Sequence, residues 1–201
     1  MIGIIDTGIC NYRSMEVSIE RLGYETRKVT CENDTKGISK CVFPGVGSFK
    51  AGMAKLSENG LDQVIRKLAQ QDMPILGVCL GMQIMCSFGE EFGHVDGLDL
   101  VGGGIVKLDE SRPGMKVPNI GWYKVKAAAT GQPHLNDDPY FYFVHSFHFV
   151  PDDPSIVTGT ISLGGEDVVV AYEKDNIFGV QFHPEKSQDA GLEMLQSFLR
   201  I

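Results

Sequence analysis

The chain has 201 residues, enough for one domain with a substantial buried core, and its 43% apolar and 22% charged residues are those of a soluble globular protein. Asp and Glu total 26 against 18 Lys and Arg, a net charge of -8 with no basic cluster, which excludes nucleic acid and anionic membranes as expected partners. No run approaches the ~20 apolar residues of a membrane span, Met1–Asp6 lacks the basic start of a signal peptide, and scattered cysteines (10, 31, 41, 79, 86) without C-x-x-C point to a reducing cytoplasm, not to a disulfide or zinc framework.

Ile2-Gly3-Ile4-Ile5 reads as a buried strand, closed by the loop Asp6-Thr7-Gly8. Asn11 to Leu22 follows as a helix, with Met15, Ile19 and Leu22 at helical spacing and Gly23 as its stop. Tyr24 to Val29 reads as a second strand. Gly3 and Gly8 make no G-x-G-x-x-G, so a dinucleotide site is excluded here. Cys41-Val42-Phe43 is a third strand, broken by Pro44-Gly45-Val46-Gly47. That loop lies at a strand's C-terminal end, where open α/β sheets place ligands. Its glycines let peptide N–H groups turn toward an anion, although the same four residues also make a plain turn. Leu61, Val64, Ile65 and Leu68 stripe a further helix. Strand and helix alternating in this way predict an α/β fold: a mostly parallel open sheet with helices on both faces.

Pro74-Ile75-Leu76-Gly77-Val78-Cys79-Leu80-Gly81-Met82-Gln83 organises the rest. A short buried strand stops at a cysteine flanked by Gly77 and Gly81, and Met82–Met85 resumes as helix. This is a strand–nucleophile–helix elbow written with a thiol. The glycines are expected where a Cβ would strike a neighbouring strand or helix. At a helix N-terminus Cys79 meets the positive end of the dipole, which favours the thiolate, and the Leu80 N–H points where an oxyanion forms. The stretch is short, and it equally describes a structural cysteine in a tight turn.

Downstream, glycines and acids alternate from Gly93 to Gly104, and Ile105 to Leu108 reads as a strand. Lys116 to Trp122 looks like an exposed, Pro- and Gly-bounded stretch. Its lone Trp is either folded on the core or an interface anchor. Tyr140 to Phe149 reads as one strand with His145-Ser146 in its middle. Ile156–Leu163 and Asp167–Tyr172 form a hairpin about Gly164-Gly165, a smaller antiparallel region. Ile177 to Phe182 is the last strand and Gly191 to Leu199 the last helix. No linker or repeat divides residues 1–201, which are expected to form a single domain.

A thiolate nucleophile needs a base and an orienter. Of His94, His134, His145, His148 and His183, only His183 ends a strand and has a carboxylate two residues on, in Phe182-His183-Pro184-Glu185. Extended geometry places His183 and Glu185 on one face, and Pro184 keeps His183 out of helix. His145 and His148 lack the Cys or carboxylate company of a metal site, so neither metal nor cofactor is expected. Cys–His chemistry with an oxyanion hole is acyl transfer. The residue types alone do not separate a peptide from a free amide.

Taken together, Pro44-Gly45-Val46-Gly47, Gly77-Val78-Cys79-Leu80-Gly81-Met82-Gln83 and Gln181-Phe182-His183-Pro184-Glu185 resemble the class I, triad glutamine amidotransferases, whose fold is flavodoxin-like. From end to end the chain looks like the glutaminase subunits of imidazole glycerol phosphate synthases. The opening Ile-Asp-Thr-Gly, Pro-x-x-Gly-Trp at 118 to 122, Tyr142–Ser146 and Phe182–Ser187 carry that closer likeness. The resemblance implies hydrolysis of L-glutamine to glutamate and ammonia at Cys79, with His183 as base then acid and Glu185 orienting it. It implies an oxyanion hole from Leu80 and the Val46 or Gly47 peptide, and substrate contacts from Gln83, His145 and Ser146. It also implies a heterodimer with a separate barrel-shaped synthase (cyclase) subunit that receives the ammonia, with Asn11, Asn119, Trp122 and Lys186 near the contact.

One departure qualifies it. The family commonly reads Pro-His-Met-Gly-Trp-Asn where this chain has Pro118-Asn119-Ile120-Gly121-Trp122-Tyr123, and the replacements of His by Asn119 and of Asn by Tyr123 are expected on the partner-facing side. Three alternatives therefore stand: a paralogous glutaminase subunit that supplies ammonia for sugar amidation in surface polysaccharides, a stand-alone cysteine hydrolase with the same elbow, and a non-catalytic subunit that keeps the fold.

Overall fold

The structure, a computed structural model, describes residues 1–8, 10–128, 135 and 139–201. Its first half alternates as the sequence predicts: β1 (Ile2–Ile5), α1 (Tyr12–Arg21), β2 (Thr26–Val29), β3 (Lys40–Gly45), α2 (Phe49–Glu58), α3 (Leu61–Gln70), β4 (Ile75–Cys79) and α4 (Leu80–Ile84). The second half is mostly strands: β5 (Cys86–Gly89), β6 (Val95–Asp96), β7 (Val101–Lys107), β8 (Asn119–Lys124), β9 (Lys126–Ala127), β10 (Tyr140–His145), β11 (Phe147–Pro151), β12 (Val157–Leu163), β13 (Glu166–Lys174) and β14 (Ile177–Val180), before α5 (Gln188–Arg200).

In the large sheet β2, β1, β3, β4 and β14 lie side by side and parallel. From β14 it continues through antiparallel β13, β11 and β7 to β5 and β6, with β12 and β9 on a branch. β8 and β10 form a separate two-stranded antiparallel sheet. Strand periodicity of two sends alternate residues to opposite faces. Val42, Leu76 and Val78 join one apolar cluster with Met15 and Ile19 of α1 and Leu195 and Phe198 of α5. Cys41, Phe43 and Ile75 join another with Phe49 and Leu56 of α2 and Leu61, Ile65 and Leu68 of α3. Each fully buried side chain of that size contributes about 1.5–3 kcal/mol of transfer free energy, so both helical layers are held mainly by these stripes.

Several local expectations are corrected. Helix α2 adds to the predicted elements, with Ser48 capping it by accepting from the Ala51 N–H. The helix after the elbow is only five residues long and gives way to strand β5. Lys116 to Trp122 is not all loop, since β8 begins at Asn119. Tyr140 to Phe149 is two strands. The chain bends at Ser146, and β10 pairs with β8 while β11 pairs with β7 and β13. The run is aromatic and β-branched apart from His145, Ser146 and His148, and a lone serine is too weak a turn signal for periodicity to locate that bend.

Register then builds the site. Gly45 sits opposite Cys79, and Val180 opposite Val78, in parallel pairing. Three segments therefore leave the same sheet edge together: the Val46-Gly47 loop, the elbow, and Gln181-Phe182-His183.

Candidate active site

Cys79 closes β4 with φ 55° and ψ -112°, a conformation that non-glycine residues avoid at a cost of roughly 1–3 kcal/mol. Its neighbours make the bend possible. A Cβ on Gly81 would stand 1.8 Å from the Phe43 carbonyl oxygen, and one on Gly77 would stand 2.7 Å from the Met82 backbone. The collision read from sequence is thus with β3 on one side and α4 on the other.

The sulfur opens onto a cavity of about 260 Å³ whose wall includes Val46, Gly47, Leu80, Gln83, Glu91 and His183. That is just under the range of roughly 300–1,000 Å³ that holds drug-sized ligands, and it suits an amino-acid-sized one. Glu91 escaped the sequence reading. It comes from the turn after β5, where its carboxylate accepts from the Phe49 N–H at 2.8 Å. No periodicity or spacing ties it to the elbow, and only the fold does.

His183 Nδ1 meets Glu185 Oε1 at 2.9 Å, with both side chains buried to 3% and 2% exposure. The pairing is the one expected, but its cause differs. Pro184–Lys186 is a single 3-10 turn that folds Glu185 back under the ring, in place of an extended run. Nε2 of His183 makes no hydrogen bond of normal geometry. Burial alone would lower the imidazole. The nearby Cys79 sulfur and the Glu185 carboxylate outweigh it and raise the group to about 10. Cys79, His183 and Glu185 are therefore gathered in one place from β4 and the turn after β14.

The other histidines fall away as bases. His94 is exposed and stacks on Phe88. His148 does not reach the cavity, and burial lowers it. His134 lies outside the described residues. His145 lines the cavity, but both its ring nitrogens are engaged: Nδ1 with the Phe147 carbonyl at 2.9 Å and Nε2 with Asn119 Nδ2 at 2.9 Å. Burial pushes it down to about 4, so the ring is neutral. His145 thus stands where the expected substrate residues stand, on the cavity wall, with both ring nitrogens held by protein groups. Ser146 lies beside it on the cavity wall. Gln83 keeps its place on that wall, with Nε2 donating to Phe147 O at 3.3 Å and to Gln181 Oε1 at 2.8 Å.

The residues read as partner-facing divide. Trp122 is 45% exposed and sits edge-on to Tyr142, so its ring is not folded into the core. Lys186 Nζ lies over the same Tyr142 ring at 5.9 Å. Ile120 and Val144 are exposed on the same face of β8 and β10, two places along. Asn119 turns the other way. It is 2% exposed against His145, and Tyr123 packs inward on Phe143. Of the departures from the family pattern, Asn119 and Tyr123 thus fall on the inward face, while Ile120, where the family has Met, lies in the outward row. Asn11 points into the molecule too, its Nδ2 at 3.5 Å from the Glu185 oxygen that His183 uses.

Known proteins share both the sequence pattern and the fold. The family described as "Glutamine amidotransferase class-I" matches residues 4–201. The chain is 42% identical to the imidazole glycerol phosphate synthase subunit HisH of Moorella thermoacetica, over 98% of this chain and 93% of that one. It is 39% identical to the subunit of the same name from Chlorobaculum tepidum, over 98% of each. Among solved structures, one titled as a glutamine amidotransferase shares the fold at TM-score 0.78 and 17% identity, covering 99% of this chain and 97% of that one. PurLQS from Thermotoga maritima shares it at TM-score 0.75 and 19% identity, with 99% and 97% covered. The chain belongs to the class I glutamine amidotransferases.

Proposed function

We propose that this chain is the glutaminase subunit of an imidazole glycerol phosphate synthase, acting in histidine biosynthesis. It hydrolyses L-glutamine to glutamate and ammonia and delivers the ammonia to a separate barrel-shaped synthase subunit. The observation that carries the reading is the convergence of Cys79 and the His183–Glu185 pair on one amino-acid-sized cavity. The full-length likeness to subunits of that name supports it.

The chemistry follows from the residues. The Cys79 thiolate attacks the carboxamide carbon, and the new oxyanion takes the Leu80 N–H and an N–H of the Val46-Gly47 loop. His183, protonated by pairing with the sulfur and held by Glu185, gives its proton to the departing ammonia as the C–N bond breaks. Water then loses a proton to His183 and adds to the thioester. The C–S bond breaks and glutamate leaves. Glu91 is the cavity carboxylate positioned for the substrate's ammonium group, and the Gln83 carbonyl oxygen is its second acceptor.

The synthase docks on the outward row of β8 and β10, where Ile120, Trp122 and Val144 are exposed beside Lys186. An exposed aromatic at the centre of an apolar row is the composition of an interface hot spot. The five cysteines are unpaired, as in a cytoplasmic protein. Ammonia release from glutamine by the chain with and without its co-purified synthase tests the whole reading. Turnover is expected to be low alone and raised by the loaded partner. A rate indifferent to any partner argues for a stand-alone hydrolase.

A further inference from the structure

Gln181 stands two residues before His183 and is 0% exposed. Its backbone N–H is held by the Val170 carbonyl at 2.9 Å. Its side chain spans two residues of the elbow: Nε2 lies 3.7 Å from Cys79 Sγ, and Oε1 accepts from Gln83 Nε2 at 2.8 Å.

The two ends of a primary amide are told apart by their partners, and here the partners leave one assignment. The Phe147 carbonyl only accepts, and it faces His145 Nδ1 at 2.9 Å and Gln83 Nε2 at 3.3 Å. His145 is neutral, so its proton sits on Nδ1 and its Nε2 accepts from Asn119. Gln83 must then turn its NH2 toward both Phe147 and Gln181. Gln181 in turn presents its oxygen to Gln83 and its NH2 to the sulfur. A buried relay running from Asn119 through His145, the Phe147 carbonyl and Gln83 fixes one N–H on Cys79.

We infer that Gln181 is a catalytic residue of this site: its Nε2–H donates to the Cys79 sulfur and stabilises the thiolate. This rests on Cys79 being the nucleophile of the proposed reaction. During attack the sulfur's electron pair forms the C–S bond and the charge moves to the oxyanion, so the N–H loses its acceptor. When water has added and the C–S bond breaks, the pair returns to sulfur and the waiting N–H receives it. The donor therefore holds the resting thiolate and aids its departure from the thioester. Glu91, His145 and His183 are the other titratable groups on the cavity, with Glu185 behind His183. None is altered by changing Gln181.

The test is alkylation of the full-length protein with iodoacetamide across pH, with modification at Cys79 followed by peptide mass spectrometry. Gln181→Met keeps the side-chain length and removes the N–H. Its half-maximal rate is expected about one pH unit above the wild type, the scale of losing one hydrogen bond to a charged group. Gln181→Asn keeps an amide that is a methylene too short to reach, and moves in the same direction. A Gln181 that merely packs would lower thermal stability and leave the midpoint in place. A folded Gln181→Met or Gln181→Asn protein with the wild-type midpoint overturns the assignment. A readout on the unaltered protein guards against misfolding. The Gln181 side-chain amide resonances of 15N-labelled protein should move with the same midpoint as alkylation, and resonances that ignore it also overturn the assignment. Alkylation reads the sulfur without glutamine, so a failed glutaminase assay and a failed Gln181 assignment give separate results.

Discussion

The parallel edge that carries Cys79 and the small sheet of β8 and β10 are built on opposite terms. At the parallel edge almost nothing can change. β4 and β14 are buried on both faces, the elbow glycines sit against backbone atoms, and Cys79 keeps a strained φ of 55° because β3 and α4 enclose it. The small sheet has one dry face and one wet one, with His145 and Phe143 inward and Trp122, Ile120 and Val144 outward. In the proposed function the first region holds the nucleophile aimed, and the second offers an apolar row to the synthase. On the proposed reading, chemistry and recognition are divided between two sheets of one chain.

The largest expected effect tests the rigid side. Cys79→Ala should abolish ammonia release, a loss of about 10⁴-fold or more, as for nucleophiles of other triads. A glutamine-mimicking electrophile should label Cys79 alone. Burial pushes the Cys41 thiol up to about 12, and burial with the neighbouring Asp6 does the same to Cys10. Peptide mapping that finds label on Cys10 or Cys86 would refute the site. Glu185→Gln keeps the shape and removes the charge that orients His183, so kcat should fall by about 10²-fold or more with KM little changed. A Glu185→Gln enzyme of full activity would reduce that carboxylate to a structural part.

The outward row is tested by Trp122→Ala. Binding of the synthase should weaken by about 2 kcal/mol, roughly 25-fold in Kd, while alkylation of Cys79 in the isolated chain stays as it was. Unchanged binding in a titration calorimeter would move the interface elsewhere. The smallest effect concerns the inward face. His145 is neutral in the fold and held at about 4, whereas an unfolded histidine titrates near 6.5. A histidine lowered in the folded state contributes stability above the unfolded value, and that contribution is lost as pH falls from about 6.5 toward about 4. Melting temperature should drop across that window, and His145→Gln should flatten the slope. An equal slope in both proteins would assign it to other groups.

The parallel half was legible because its signals are local. Buried strand runs, the glycine-flanked cysteine and the apolar stripe of α3 each declare themselves within a few residues. The His183–Glu185 pairing was legible as well, but its cause was not, because a 3-10 turn and an extended run put a neighbour two residues on within similar reach. What stayed hidden depends on contacts far apart in the chain. Glu91 reaches the cavity only through the β5 turn, and Gln181 meets the sulfur across 102 residues. The inward turn of Asn119 follows from the pairing of β8 with β10, and no feature of Pro118–Tyr123 alone records which side of that sheet faces water.

Strand β10 also does something its aromatic sequence does not suggest. The Tyr142 carbonyl accepts from the His183 N–H at 3.0 Å, and the Tyr142 N–H donates to Ser187 Oγ, which itself donates to the His183 carbonyl at 2.6 Å. Tyr142 also carries the ring against which Trp122 and Lys186 rest. The imidazole is thus moored to the very residue that meets the docking row. Under the proposed docking, a synthase seated on that row lies one backbone hydrogen bond away from the proton carrier.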